Sequence, residues 1–423
     1  MLLPSITRSL CSGRKSYVVK ILLSIFFLYI GLSIATKSRK IHEAFTDPLF
    51  NYKSEEVTFN YDSLSTTSEY VNEYTEYHGF CVRPFLIRGD EPEQNRITLA
   101  LHGSTSALDL EYITLLMSNW RAPISFAIYL HELENDPTTV RELFLSAMAN
   151  VSDPEATRHV NVHVLFNKYQ NLSCHDTISL RDTFLSDYDN STAYFARYPI
   201  NVVRNVARTY ILTHYQAMAD IDFLFSHRFE EKMREIADRV ISENPKAALV
   251  YRIFEIDEEA IGSRPAAINK SDLRELIHAG RARTFHGAHW WEGHGIPQLT
   301  RWLEEPEKEH PGIQDVKLSQ KRRRPWEPQI IVNRNVPKFD ETFPYRHGNN
   351  IELRWEMCRA GYELQLVEDL FVYHRVVSES HRDVQTVKDT ISDDNYYRYR
   401  RAVIEFKQRM ARMYPRTRQF CPI

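Results

Sequence analysis

The chain has 423 residues, with 53 Lys and Arg against 56 Asp and Glu, and 43% of it is hydrophobic. That apolar content at a net charge of -3 excludes a disordered chain, a collagen-like repeat and a basic scaffold, so no nucleic acid is expected as a partner. The length admits two or three domains, or one large α/β domain carrying a tail.

In chain order, the first feature is apolar. Residues 17–36 read YVVKILLSIFFLYIGLSIAT, with no charge between Ile21 and Ala35. A membrane-spanning helix needs about 20 predominantly apolar residues, and the stem of Lys20 helps this run to reach across. The expectation is an uncleaved signal anchor over 17–36 behind a cytoplasmic tail at 1–16. A cleaved signal peptide ending near Ser33-Ile34-Ala35 is the alternative, disfavoured by the long segment before the run. Either reading makes the body lumenal or extracellular. Sequons at Asn150, Asn171, Asn190 and Asn269 agree with that compartment and are expected glycosylation sites. Cys81, Cys174, Cys358 and Cys421 follow the span, an even number that permits three disulfide connectivities, and no CxxC pair suggests zinc or redox chemistry.

Residues 37–95 are polar, Tyr-rich and without sustained periodicity, and are read as a lumenal stem. From residue 96 to 423 the texture is that of an α/β domain. Strand-like runs occur at 97–103, 124–130, 160–166, 216–224, 247–256, 329–336 and 364–374. Helix-like segments run from Asp109 to Trp120, Thr138 to Met148, Val202 to His214 and Phe229 to Ile241. Strands spaced by helices predict a mostly parallel, Rossmann-like sheet covered on both faces.

The sharpest chemical signal is Asp220-Ile221-Asp222, at the end of a strand-like run. On an extended segment i and i+2 share a face, so two hard oxygen ligands suited to Mg²⁺ or Mn²⁺ sit at the edge where open α/β sheets bind ligands. Asp187-Tyr188-Asp189 has the same spacing in a Ser/Asn-rich stretch, where it reads as a solvated turn. Asn201, Arg204, Asn205 and Arg208 recur at i, i+3, i+4 and i+7, one polar helix face that is either solvated or a donor set for a nucleotide. His286, His289 and His294 fall in FHGAHWWEGHGIP, where no carboxylate or thiolate completes a zinc set, and Trp290 and Trp291 read as aromatic platforms on a mobile loop. His374 ends another strand-like run. Lys321-Arg322-Arg323-Arg324 reads as a solvated loop. A hydrolase reading of His102-Gly103-Ser104 fails for want of a GxSxG elbow.

Together, YPINVVRNVAR, ADIDFLFS, ALVYRIFEID, RPWEPQIIVNRNVPKFDETFPYRHGNN and FVYH, in this order over residues 96 to 377, are similar to glycosyltransferase family 49. The resemblance implies a GT-A fold and a single-pass type II protein of the Golgi membrane. It implies a UDP-sugar donor, a glycan or glycoprotein acceptor, Mn²⁺ or Mg²⁺, and inversion at the anomeric carbon. Asp220 and Asp222 match the family's metal-binding triplet, and His374 its C-terminal metal-ligand histidine. Glucuronic acid is the expected sugar. Asn350 stands where members often carry Lys, which leaves N-acetylglucosamine or another hexose as alternatives. A catalytically inactive carbohydrate-binding protein is the further one. The base that deprotonates the acceptor is not identified, and Glu255, Asp257, Glu292 and Glu352 are its candidates.

Overall fold

A computed structural model of the chain describes residues 73–130, 137–168, 172–175, 198–261, 267–287, 290–316, 318, 325–376, 393–421 and 423. The apolar run at 17–36, Asn171, Asn190, Asp187, Asp189, His289 and the basic run at 321–324 lie outside these residues. Among the described residues no helix is long and apolar enough to cross a membrane.

The first half contributes β1 (Thr75–Tyr77), β2 (Phe80–Ile87), β3 (Ile97–Ser104), α1 (Leu110–Trp120), β4 (Ile124–Tyr129), α2 (Pro137–Ala149), β5 (Val160–Asn167), α3 (Ile200–Thr209), β6 (Tyr215–Ala219) and β7 (Phe223–Phe225). The second contributes α4 (Phe229–Val240), β8 (Ala247–Asp257), α5 (Glu258–Ile261), α6 (Lys270–His278), β9 (Ala282–Thr284), α7 (Trp291–His294), α8 (Leu299–Glu304), β10 (Gln329–Asn333), α9 (Ile351–Arg359), β11 (Glu363–Val376) and α10 (Asp393–Met413). The strands form one sheet in the order β1-β2-β5-β4-β3-β6-β10-β8-β11-β7, with β9 on β8.

Four neighbouring strands, β5, β4, β3 and β6, are parallel, and β8 and β11 form a second parallel pair. The remaining pairings are antiparallel, so the sheet is mixed rather than mostly parallel. For β1 and β2 the reason is local: a parallel return needs a crossover of a dozen or more residues, which the hairpin between them lacks.

Both faces of the parallel core are covered, which explains its nearly continuous apolar strands. Leu99, Leu101, Phe126 and Ile128 face α1, α2 and α4 through Leu116, Met117, Phe144 and Met233. The alternate residues, Ala100 and Ala127, face Val203, Val206 and Ala207 of α3. α1 begins where Asp109 accepts from the Glu111 and Tyr112 backbone N–H groups and ends where Arg121 takes a left-handed conformation.

Two further expectations change. Residues 75–87, within the stretch read as a stem, contribute β1 and β2, and β2 pairs with β5. Pro84 and the positive φ of Phe85 interrupt that ladder between Arg83 and Ile87 and hide the alternation of a strand. The run at 216–224 is two strands, not one. β6 lies beside β3, β7 lies beside β11, and Asp220-Ile221-Asp222 is the turn that carries the chain between them.

Candidate functional site

Three strand ends meet at the acidic turn. In the parallel ladder Leu101 stands opposite Ala219, so His102 and Asp220 come next together. In the antiparallel ladder His374 stands opposite Phe223, one residue after Asp222. In the other ladder of β11, His374 faces Glu255 of β8. Thus the turn, rather than an extended i, i+2 pair, presents the two carboxylates.

Each carboxylate has its own imidazole. His102 Nε2 lies 2.9 Å from Asp220 Oδ1, and its Nδ1 lies 3.0 Å from the Tyr198 hydroxyl. Burial and the nearby Arg204 charge hold His102 below its usual pKa, against the pull of Asp220 and Asp222. Burial works against ionisation of Asp220, but the His102 bond and the charges of His102, Arg204 and His374 hold it below the usual carboxylate range. An ionised carboxylate only accepts, so Nε2–H donates to Asp220 and Nδ1 accepts from Tyr198. On the other side His374 Nε2 lies 2.9 Å from Asp222 Oδ2. Burial lowers the His374 pKa, but the Asp222 bond and the charges of Asp222, Glu255 and Asp220 raise it above its usual value.

Asp220, Asp222 and His374 therefore share one site without converging on a point; among the described residues no three His, Cys, Asp or Glu groups form a metal cluster. One observation nevertheless fits a cation there. Asp222 Oδ1 is buried and has no hydrogen-bond partner. A buried anionic oxygen without a donor is costly, and a divalent ion would satisfy it.

The stripe on α3 is not solvated. Asn201 donates to the Asp340 carbonyl (2.8 Å), Asn205 to the Phe339 carbonyl (2.9 Å) and Glu341 Oε1 (2.8 Å), and Arg208 to the Val336 carbonyl (2.9 Å) and Gln216 Oε1 (3.1 Å). These contacts clamp the segment between β10 and α9 and occupy those side chains. Arg204 donates to the Asn349 carbonyl (3.0 Å) and is the member of the stripe that reaches the acidic turn, with Nη2 3.9 Å from Asp220 Oδ1.

The four acids weighed as bases lie in different settings. Glu255 accepts from Arg283 Nε (2.7 Å) and from the His286 backbone N–H (2.9 Å), so both its oxygens are engaged. Asp257 caps the Glu259 N–H (3.0 Å) and pairs with Arg281 (2.9 Å). Glu292 is exposed on α7. Glu352 is fully buried within α9, accepting from the Asp340 N–H (3.1 Å), rather than lying in a loop open to an acceptor.

Beside His374 lies an aromatic group. Phe285 contacts both His374 and His294, with centroids at 5.8 and 4.9 Å. The His294 ring is buried, which lowers its pKa to about 4. Trp291 is 48% exposed. A Cβ on Gly293 would stand 2.6 Å from the Trp290 ring, and one on Gly295 would collide with Trp291, so the two glycines seat the two indoles. Of the expected glycosylation sites, Asn150 is exposed after α2, and Asn269 is exposed as the N-cap of α6.

His102 and Glu327 are the members of this neighbourhood that the sequence reading did not select. His102 had a usable signal, its position at the carboxyl end of a parallel strand. Glu327 approaches only through tertiary contacts, with Asn350 donating to its Oε2 (3.3 Å).

Comparison with known proteins places the chain among transferases. The glycosyltransferase 49 family model, described as the glycosyl-transferase for dystroglycan, matches residues 96–415. Beta-1,4-glucuronyltransferase 1 of Mus musculus is 25% identical over 346 residues, covering 78% of each chain. Xylosyl- and glucuronyltransferase LARGE2 of Rattus norvegicus is 26% identical over 330 residues, covering 74% of this chain and 41% of the relative. Among solved structures, S. aureus TarS in complex with UDP-GlcNAc aligns with a TM-score of 0.36 at 10% identity, covering 77% of this chain and 73% of TarS, a likeness too distant to add to the reading.

Proposed function

The chain belongs to glycosyltransferase family 49, and we propose that it transfers a sugar, glucuronic acid first among the candidates, from a UDP-sugar to a glycan on a glycoprotein, inverting the anomeric carbon. The unpartnered Oδ1 of Asp222 beside the ionised Asp220 carries the metal-dependent part of this reading. Asp220, Asp222 and His374 would hold a divalent ion, Mn²⁺ suiting a mixed oxygen and nitrogen set better than Mg²⁺, and the ion would offset the charge gathering on the departing diphosphate. Arg204, next to Asp220, adds a fixed positive charge on the same side. His102 holds Asp220 from behind through a bond whose far end is fixed by Tyr198.

The names of the two relatives support glucuronate. UDP-N-acetylglucosamine or another UDP-hexose is the second reading, favoured by the neutral Asn350 where the family resemblance leads one to expect a cation. The protein's place in this reading is the Golgi membrane, its body lumenal and its anchor at 17–36.

The test is sugar transfer from a panel of UDP-sugars with Mn²⁺ by the parent, Asp220→Asn and Asp222→Asn. Each substitution removes a charge at nearly constant shape, so folding should persist while turnover falls at least about a hundredfold. Undiminished transfer by both variants would make the turn structural. No transfer by the parent from any donor would favour a carbohydrate-binding protein.

A further inference from the structure

One carboxylate near the acidic turn has the setting of a proton acceptor. Glu327 lies two residues before β10, and its backbone N–H donates to the Gly293 carbonyl (2.7 Å), which ties it to α7. Its Oε2 accepts from Asn350 Nδ2 (3.3 Å), and among the described residues no other side chain donates to it. Its partner Asn350 directly follows Asn349, whose carbonyl accepts from Arg204 (3.0 Å), the arginine whose Nη2 lies 3.9 Å from Asp220 Oδ1, so Glu327 is tied to the acidic turn through this loop. Burial is the leading influence on its acidity and, against the Asn350 bond and the charges of Arg204 and Arg354, keeps it above the usual carboxylate range.

The other acids nearby lack this combination. Glu255 has both oxygens bonded, Asp257 is a cap and an ion-pair partner, and Glu352 is sealed from solvent. Glu292 remains the rival, exposed on α7 beside Trp291.

We infer that Glu327 is the catalytic residue that takes the proton from the acceptor hydroxyl. This rests on the transferase reading above. In the step, the acceptor oxygen forms a bond to the anomeric carbon while the bond from that carbon to the β-phosphate oxygen breaks. Its electron pair leaves with UDP, and the hydroxyl proton passes to the open oxygen of Glu327. Asn350 keeps the carboxylate turned by its one hydrogen bond without neutralising it, as a cation at that position would.

The experiment uses the full chain in detergent and compares Glu327→Gln, Glu327→Asp, Glu327→Ala and Glu292→Gln with the parent. It measures transfer kinetics, Mn²⁺-dependent UDP binding by calorimetry, and melting temperature. For Glu327→Gln we expect kcat at least about a hundredfold lower, with UDP affinity and melting temperature unchanged, because a base acts after the donor is bound. Glu327→Asp should recover part of the loss, and formate should restore some turnover to Glu327→Ala. Three outcomes overturn the assignment: Glu327→Gln within tenfold of the parent, a loss matched by lost UDP binding or lost stability, or the loss falling on Glu292→Gln instead. A parent that transfers nothing removes the transferase reading and the base together, which is distinct from an active parent with an active Glu327→Gln.

Discussion

At Glu352, burial and polarity are in direct conflict. Its Oε1 accepts from the Asp340 N–H (3.1 Å) and Asn201 Nδ2 (3.4 Å), while Oε2 is buried with no donor. Burial, with the charges of Asp340 and Glu356, raises its pKa well above the usual 4.5. A raised carboxyl binds its proton more tightly in the folded state. Its stabilising effect is complete below the unfolded pKa and is lost as pH rises through the folded one, with a slope of at most about 1.4 kcal/mol per pH unit. Glu352→Gln removes that titration and retains an acceptor for the Asp340 N–H. The parent's melting temperature should therefore fall more steeply than the variant's from about pH 5 upward; superimposable profiles would mean that Glu352 is not raised. Sequence spacing pointed to Asp220 and Asp222, and the family resemblance to His374, and the fold brings these three to one turn. Residue chemistry was not legible for Glu327, whose neighbours Asn350, Arg204 and Asp220 lie in three separate segments and meet only in the fold.

At the scale of elements, periodicity found the polar face of α3 but could not say what covers it. A solvated face and one packed on a loop have the same spacing, and the deciding contacts come from more than 100 positions away. Asn205 shows the consequence. Its Oδ1 accepts from the Phe339 N–H (2.9 Å) while its Nδ2 donates to the Phe339 carbonyl (2.9 Å) and to Glu341, so one side chain pairs a backbone residue as a strand would. Asn205→Ala strands these buried groups, and we expect a loss of about 2 to 4 kcal/mol in urea unfolding, since each unsatisfied group costs roughly 1 to 3 kcal/mol. Asn205→Asp should recover little, because it discards both donors and sets a charge beside Glu341. A cost below about 0.5 kcal/mol for the alanine variant would show that water replaces the clamp. The strand starts of β3, β4, β5 and β8 were legible because these strands are buried on both faces and read as apolar runs. The break between β6 and β7 was not, because Ile221 and Phe223 continue the apolar texture through the turn.

For the whole molecule, cysteine counting limited the possibilities without choosing among them, since connectivity depends on which segments the sheet brings together. The pairs are Cys81 with Cys174 and Cys358 with Cys421. The second joins α9 to the segment beyond α10, closing a loop with a sequence separation of 63. In the chain-entropy account a loop of this size contributes about 4 kcal/mol by restricting the unfolded chain, an upper figure for the measured effect. α10 and the segment after it have further attachments that act in the folded state. Ala402, Phe406 and Met410 pack on Phe343 and Trp355, Arg409 pairs with Asp340 (2.7 Å) and Glu356 (3.2 Å), and Thr417 Oγ1 donates to the Arg359 carbonyl (2.8 Å). Opening the bridge should therefore lower stability without undocking the helix at 25 °C. Nor should it displace the acidic turn, which is held by β3, β6 and β11. Replacing both Cys358 and Cys421 by Ser should lower the melting temperature by several degrees and leave sugar transfer at 25 °C within about twofold of the parent. The Cys81–Cys174 bridge closes a different loop, so adding Cys81→Ser and Cys174→Ser should lower stability further in the combined variant. An unchanged melting temperature in the first double variant, or free alkylation of all four thiols in the native parent without reductant, would remove the bridges from the folded molecule.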